Sequence, residues 1–382
     1  MIPIKPALFA WMLLFLNQNL LAGGFLDRFI DPRDGYFDTS EWLATRTGFL
    51  PVPIIITEPA VGYGGGAALT FFHGEFKGVE VESRPGETRR VPPSVSAVAA
   101  GGTENGTWFL GGGHLGIWKN DDIRYIGGAG YGEIKMDYYG TSGQLRHPVS
   151  FDSAAWGLLQ EFKFRIRDSR FFAGLGYRLV DTKNRFHPGG LLPIPGLPAI
   201  GFDSRSAGIQ FSLSYDSRDN VFTPNRGLDT ELKAEINGHV WGGDDDFKRY
   251  SAYLKYYRPF AGNWVAGLRL DGKTLEGDAP FYEYPFVDMR GIKIMRYQGK
   301  RTALGELELR WTFHPRWTLV GFGGAARTWA VQNDTASDNI YSKDLGIRYL
   351  IASKLGLQFG LDIAQGPEDT AVYFQVGSAW LR

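Results

Sequence analysis

Arg290 is the first residue whose chemistry demands a partner. It stands in Met289-Arg290-Gly291-Ile292, followed by Arg296-Tyr297-Gln298-Gly299 and then Gly305-Glu306-Leu307-Glu308-Leu309-Arg310-Trp311. A guanidinium carries five donors and stays charged, so away from bulk water it needs carboxylate acceptors in a fixed geometry. The third piece offers them. Glu306, Glu308 and Arg310 alternate with Leu307, Leu309 and Trp311, giving a strand with one charged and one apolar face. The expected chemistry is an ion pair, Arg290 to Glu308 with Glu306 behind it, that pins the long loop 274–302 to a strand. Gly291 lies beside the arginine, and Tyr297 and Gly299 complete the loop motif. The plain alternative is a solvated loop arginine.

Other residues carry less. Gly62-Tyr63-Gly64-Gly65-Gly66 lacks the Lys-Ser/Thr of a phosphate-binding loop and leads into a strand-like run, so it reads as glycine in a bending wall. The histidines at 73, 114, 147, 187, 239 and 314 show no paired ligand spacing, and no metal site is expected. Gly243-Asp244-Asp245-Asp246 reads as a solvated hairpin loop rather than a cation site. No Ser or His stands in a nucleophile context, so no catalytic residue and no cofactor is expected.

The elements that must position these residues are strands. From Pro51 onward the pattern is β almost throughout, about sixteen strands in all. Phe162-Lys163-Phe164-Arg165, Thr230-Glu231-Leu232-Lys233-Ala234-Glu235-Ile236 and Leu268-Arg269-Leu270-Asp271 alternate apolar with charged residues. Aromatics gather at strand ends, among them Trp108, Trp118, Tyr138, Tyr139, Tyr257, Trp264, Trp311 and Trp380, as interfacial girdles do. Short turns (168–170, 261–263, 314–316, 353–355) alternate with long loops (183–204, 274–302, 330–343), which fits turns on one side of a membrane and loops on the other. The polar stretch 73–92 breaks that pattern, being long on the short side. The fold expected is all-β, a transmembrane antiparallel barrel.

Composition agrees. The 382 residues include 41 basic and 41 acidic ones, so net charge gives no pull toward nucleic acid. Aromatics make up 15% and there are 51 glycines, both high for a helical or α/β chain. Cysteine is absent, which excludes disulfides and thiolate zinc sites. Lys5, the apolar run 7–16 and the small residue Ala22 resemble a secretory signal over 1–22. Residues 23–50 then form a short periplasmic segment, with a helical turn or two over 39–45, and 51–382 the barrel.

The second half of the chain resembles the barrel of the BamA/TamA superfamily, also called the bacterial surface antigen family. The likeness rests on Met289-Arg290-Gly291-Ile292, Arg296-Tyr297-Gln298-Gly299, the strand 305–311, and the closing Leu361-Asp362-Ile363-Ala364 and Tyr373-Phe374-Gln375-Val376-Gly377. It is good over 205–382 and diffuse over 50–204. It implies that the Arg-Gly motif lies in the sixth outer loop, folded into the lumen, and that Glu308 faces Arg290. Gly324 stands where the family places an Asp, so one partner of the arginine is missing. The segment 23–50 is too short for the family's periplasmic repeat domains, so the resemblance implies a barrel-only branch.

The resulting expectation is a monomeric bacterial outer-membrane protein, non-enzymatic, serving outer-membrane protein or lipid assembly or transport. Its partners would be outer-membrane lipid and lipopolysaccharide, with outer-membrane or secreted proteins as substrates and no nucleic acid. The alternatives are a passive pore and an outer-membrane lipase or protease. The barrel is expected to close by pairing a first strand, 52–57 with Ile55, to a last, 371–380 with Phe374. Pro53 makes that seam weak.

Overall fold

The computed structural model describes residues 29–44, 48–74, 79–84, 87–91, 93–140, 145, 147–187, 200–331, 333, 335–337 and 339–380. The expected signal over 1–22 lies outside them. One short helix, α1 (Ser40–Ala44), precedes the strands. These are β1 (Gly48–Ile56), β2 (Gly64–His73), β3 (Val79–Arg84), β4 (Glu87–Val91), β5 (Ser94–Thr103), β6 (Trp108–Trp118), β7 (Ile123–Tyr138), β8 (Val149–Arg165) and β9 (Phe171–His187). They continue as β10 (Ile200–Asp216), β11 (Gly227–Asn237), β12 (Phe247–Ala261), β13 (Trp264–Gly277), β14 (Arg301–His314), β15 (Trp317–Trp329), β16 (Ile340–Ala352), β17 (Leu357–Gln365) and β18 (Thr370–Val376).

Sixteen strands form one antiparallel sheet in chain order, a nearly closed barrel, with β3 and β4 set aside as a separate hairpin. That hairpin accounts for the long polar stretch 73–92. It projects from the end of the barrel where the other connections are short turns.

The wall is built inside out relative to a water-soluble protein. On β10, Ser206, Gln210, Ser212 and Ser214 are buried, while Phe211 and Leu213 between them are each 45% exposed. Period-two alternation sends the first set into the lumen and the second outward, and an apolar outer band is what a bilayer selects. Trp264 and Trp311 stack on the outer face with centroids 5.6 Å apart. Four of the aromatics expected in a girdle point elsewhere. Tyr139, Tyr257 and Trp380 are buried, and Tyr138 packs on the loop residue Phe281. The alternation explains Tyr257, which shares a face with Arg249 and Tyr253, and the chain leaves the sheet before reaching Trp380.

Strand lengths differ sharply around the barrel. β8, β9 and β10 have 17 residues each and β18 has 7. At roughly 3.3 Å per residue, the last strand reaches about 23 Å, barely the ~25 Å apolar band of such barrels.

Candidate functional site: the lumenal loop and the open edge

The connection from β13 to β14 is the sixth on the loop end, and it folds into the lumen. Arg290 Nη1 donates to Asp362 Oδ2 at 2.8 Å and lies 3.1 Å from Asp344 Oδ2. Its guanidinium covers the Phe322 ring. Arg348 shares the same carboxylate, with Nη1 2.5 Å from Asp362 Oδ1 and Nη2 2.8 Å from Oδ2. The expected partners are occupied elsewhere. Glu306 accepts from Arg269 at 2.7 Å, its direct neighbour across the β13–β14 register, and Glu308 lies 3.1 Å from Arg310. The structure therefore does not bring Arg290 to Glu308 or Glu306. The loop arches over to β16 and β17 before returning to β14, so the acids nearest in sequence are not nearest in space.

Gly291 has a clear reason to be glycine. Its φ is +78°, and an added Cβ would sit 2.8 Å from the Gly366 nitrogen in the β17–β18 connection. Its amide donates to the Tyr373 hydroxyl at 3.1 Å. Gly324 leaves room for the loop as well, since a Cβ there would meet Met289 Sδ at 2.5 Å. Met289 thus takes the space that an aspartate would fill, and Asp344 and Asp362 supply the carboxylates. Tyr297 packs on the cluster of Val287, Met289, Ile292, Leu304, Ala326 and Ile340, and its hydroxyl donates to Glu368 at 3.2 Å. Gly299 abuts the Trp329 backbone, where a Cβ would meet the carbonyl oxygen at 2.3 Å.

A second anchor was missed in the sequence. Glu283 is buried and accepts from Arg178 of β9 at 2.5 and 2.6 Å and from Arg249 of β12 at 2.6 Å. Both arginines also reach Glu235, which takes a further bond from Gln210. Beside it, Phe281 packs among Tyr138, Phe151 and Phe186 with centroids 5.0–5.2 Å away. The loop is tied at both ends of its arch, to β7–β12 on one side and β16–β18 on the other. Nothing local in the sequence ties Glu283 to Arg178 and Arg249, which lie 105 and 34 residues away.

The turn end is closed from the same half. The connection 217–226 turns inward, with Arg310 Nη2 donating to the Pro224 carbonyl and the Ser378 amide to the Phe222 carbonyl at 2.6 Å. Past β18 the chain enters the lumen, where Trp380 packs with Tyr257, Val320, Phe322 and Ala379. Lys255 Nζ donates to the Trp380 carbonyl at 2.8 Å.

Outside the barrel, residues 29–44 form a strap across the turns. Arg316, in the β14–β15 turn, is bonded by Asp31 and Asp34 at 2.7 Å each and by Asp38. The Thr39 amide and hydroxyl both donate to the Ile351 carbonyl, at 2.7 and 2.9 Å, and the Ser353 amide donates to Asp38. Leu43 of α1 packs with Ala352 and Leu355 and, at the margin, with Leu50 of β1 and Leu357 of β17. The strap thereby touches β1 on one side of the gap and β17, the neighbour of the last strand, on the other. Arg33, then Arg316, hold the Asp31 carboxyl down to about 2. Asp34 is lowered by its bond to Arg316. Burial works against the charge of Asp38, but bonds from Ser353, Ser40 and Arg316 outweigh it and lower that group too.

That gap departs from the expected seam. β1 and β18 are the two edges of the sheet, and among the described residues no ladder joins them. Ile55 and Phe374 both face outward, on opposite sides of an open edge. β1 starts earlier than expected, at Gly48, and β18 stops earlier, at Val376, instead of running to Trp380. The β1–β2 register is unbroken past Pro51 and Pro53. That follows if both prolines turn their nitrogen away from β2, toward the seam, where they withhold donors.

These features define a class: a 16-stranded antiparallel barrel with an arginine-bearing loop folded inside and its first and last strands unlaced. Residues 130–288 match the Omp85 superfamily domain. The match spans both the diffuse and the good part of the sequence resemblance, and stops just short of Arg290. No curated protein matches the sequence. Among solved structures, the chain is similar to BamA from Haemophilus ducreyi lacking POTRA domains 1–3, at 12% identity and a TM-score of 0.58, over 87% of this chain and 70% of that one. It is similar to CdiB from Escherichia coli at 11% identity and a TM-score of 0.56, over 85% of this chain and 61% of that one. CdiB from Acinetobacter baumannii gives 11% and 0.54, over 86% and 59%. At these identities the likeness is one of fold. The domain match and the barrel fold point to the outer membrane of a bacterium.

Proposed function

We propose that this chain is an outer-membrane assembly or translocation factor that works by parting β1 from β18, with no catalytic step. The observation that carries the reading is the open edge: every other neighbouring pair in the sheet is laddered, and this one is not. An unlaced edge leaves backbone groups facing lipid, which is costly in hydrocarbon, and a passive pore gains nothing from it. The loop anchored by Arg290 and Glu283 obstructs the lumen, which also disfavours free conduction. Substrates would pass between membrane and lumen through the edge, with lipid, lipopolysaccharide and exported proteins as the partners a monomer in that setting meets.

The test is to join the edges. One engineered cysteine in β1 and one in β18, such as Ile55→Cys with Phe374→Cys, can be linked by a disulfide or a short bismaleimide, with no native thiol to compete. Linking should reproduce the outer-membrane proteome or lipid-asymmetry defect of the depleted strain, and reduction of the disulfide should reverse it. If the linked protein supports a wild-type envelope, the edge is not the working part and the pore reading takes its place.

A further inference from the structure

We propose that the lumen holds a glycerophospholipid, its acyl chains against the lumenal face of β1–β7 and its headgroup in a cavity at the foot of β5–β8. This deepens the open-edge reading and rests on it, since the β1 edge is the way in.

The lumenal face of such barrels is normally polar. Here it is not, over the five adjacent barrel strands β1, β2, β5, β6 and β7. By register and alternation, Val52, Leu115, Ile126 and Ile134 all point inward, yet they are 37%, 51%, 41% and 37% exposed. Between them lie glycine and alanine positions such as Gly66, Ala97, Ala99 and Gly113. Thr70 and Thr103 are exceptions, and their hydroxyls are taken up by the Leu50 carbonyl and by Asn105 Oδ1, at 2.8 Å each. The outer face of the same strands is apolar as well, with Phe49, Leu69, Val98 and Leu110 at 71%, 47%, 54% and 58% exposure. Apolar surface therefore continues from the lipid-facing side, around the unladdered β1 edge, onto the lumenal side. Leaving it to water costs about 25 cal/mol per Å².

The chemistry of the wall selects the occupant. A polypeptide strand brings backbone N–H and C=O groups at every residue, and this face offers those groups almost no partner. An acyl chain needs none. Where the wall meets the turn end, a cavity of about 330 Å³ combines Val95, Leu115, Ile117 and Ile126 with charged side chains. Those are Arg124, Lys163 and Arg218 against Asp121, Glu161 and Asp216. Arg124 and Lys163 keep 24% and 22% of their side-chain surface exposed although each is ion-paired. Matched cations and anions suit a zwitterionic headgroup, a phosphate beside the guanidinium and an ammonium beside the carboxylates. With its head at the turn end and its tails rising along β5–β7, the lipid has the orientation of the leaflet on the turn side.

The experiment places photoreactive p-benzoylphenylalanine at Leu115, Ile126 or, as an outward reference, Leu110. The full chain is reconstituted in vesicles of phosphatidylethanolamine. Irradiation should capture phosphatidylethanolamine at all three positions. Arg124→Gln with Lys163→Gln should abolish capture at Leu115 and spare Leu110, the latter also reporting that the barrel has assembled. Replacing the lipid by phosphatidylglycerol should lower capture at Leu115 several-fold. Capture at Leu110 alone, or cross-linking of Leu115 to residues 1–28 of the same chain, overturns the proposal. Equal capture of phosphatidylglycerol overturns the headgroup assignment. Joining β1 to β18 separates the two readings. Lumenal capture that survives the link, with a wild-type envelope, removes the open edge and leaves the lipid site. A functional defect on linking without lumenal capture in the unlinked protein does the reverse.

Discussion

A single ring of lumenal side chains separates the two halves of the barrel. Followed round the register from β2 to β12, it runs Phe72, Val95, Leu115, Ile126, Glu161, Gly176, Gln210, Glu235 and Arg249. It is apolar as far as β7 and polar from β8. The polar half binds everything that enters the lumen: the loop at Arg290 and Glu283, the inward turn at Arg310, and the segment after β18 at Lys255. The apolar half holds the loop only at its margins, where Phe281 packs on Tyr138 of β7 and the Ile294 amide donates to Glu58 between β1 and β2 at 3.3 Å, and it ends in a free edge. A rigid, ion-paired half thus holds the plug while the other half is left free to move. Breaking a buried ion pair costs several kcal/mol, whereas parting edges that share no ladder breaks few backbone bonds.

The largest effect should come from the shared carboxylate of the anchor. Asp362→Ala leaves both Arg290 and Arg348 without their strongest acceptor, and removing one member of a buried pair costs ~3–5 kcal/mol. The urea midpoint of the heat-resistant gel form should fall, and a spin label at Lys293→Cys should become mobile. Glu308→Gln should leave that label immobile, because Glu308 serves Arg310. A mobile label in Glu308→Gln with an immobile one in Asp362→Ala would reinstate the pairing expected from the sequence.

Gly291→Ala should act on the same anchor more weakly. A residue with a side chain held at positive φ costs ~1–3 kcal/mol, and the close approach to Gly366 adds to it. Loop mobility should rise and single-channel conductance with it. Unchanged conductance would mean that the loop does not set the opening of the lumen.

The two walls can be compared directly by adding bulk to each. Ser212 lies in the polar half and donates to Glu161 at 3.1 Å. Ser212→Leu removes that donor and buries a larger side chain, at ~1–3 kcal/mol. Ala99 faces the apolar half and is only half-buried there, so Ala99→Leu should change stability by no more than about 0.5 kcal/mol. Equal losses at the two positions would show that the apolar half is as tightly filled as the polar one.

The strand pattern was legible because period-two alternation survives the exchange of water for lipid, and only its sign is inverted. Which face a residue occupies therefore followed from Leu268-Arg269-Leu270-Asp271 or Leu361-Asp362-Ile363. Distance round the barrel did not. Arg290 was matched to Glu308, an inward acid of the strand that follows the loop, although Arg269 and Glu306 lie opposite one another on a hairpin and could have been paired first. Asp362 was visible as an inward acid between apolar neighbours, but nothing local tied it to a loop 72 residues away. The strap was harder still. Asp31, Asp34 and Asp38 lie in a stretch with no periodicity, and their partner Arg316 reads as an ordinary residue of a tight turn.

The smallest effect expected near neutral pH concerns that strap, because its acids stay charged there. Asp31 has a folded pKa of about 2 against an ordinary 3.8, and Asp34 and Asp38 are lowered as well. A carboxylate whose folded value is depressed adds stability that is complete above the unfolded value and lost as pH falls through the folded one. Attachment of the strap to Arg316 should therefore be constant from about pH 5 upward and fail between about pH 4 and pH 2. A spin label on the exposed position Pro32, introduced as Pro32→Cys, should stay immobile from pH 8 to pH 5 and loosen below pH 4. Arg316→Gln should free the label at every pH, since it removes the cation on which the three acids converge. If the strap bridges β1 to β17 at the edge, Arg316→Gln should also raise the yield of lumenal lipid capture at Leu115. A label that stays immobile at pH 2 would instead assign the attachment to the Thr39–Ile351 bonds and the packing of Leu43 on Ala352 and Leu355.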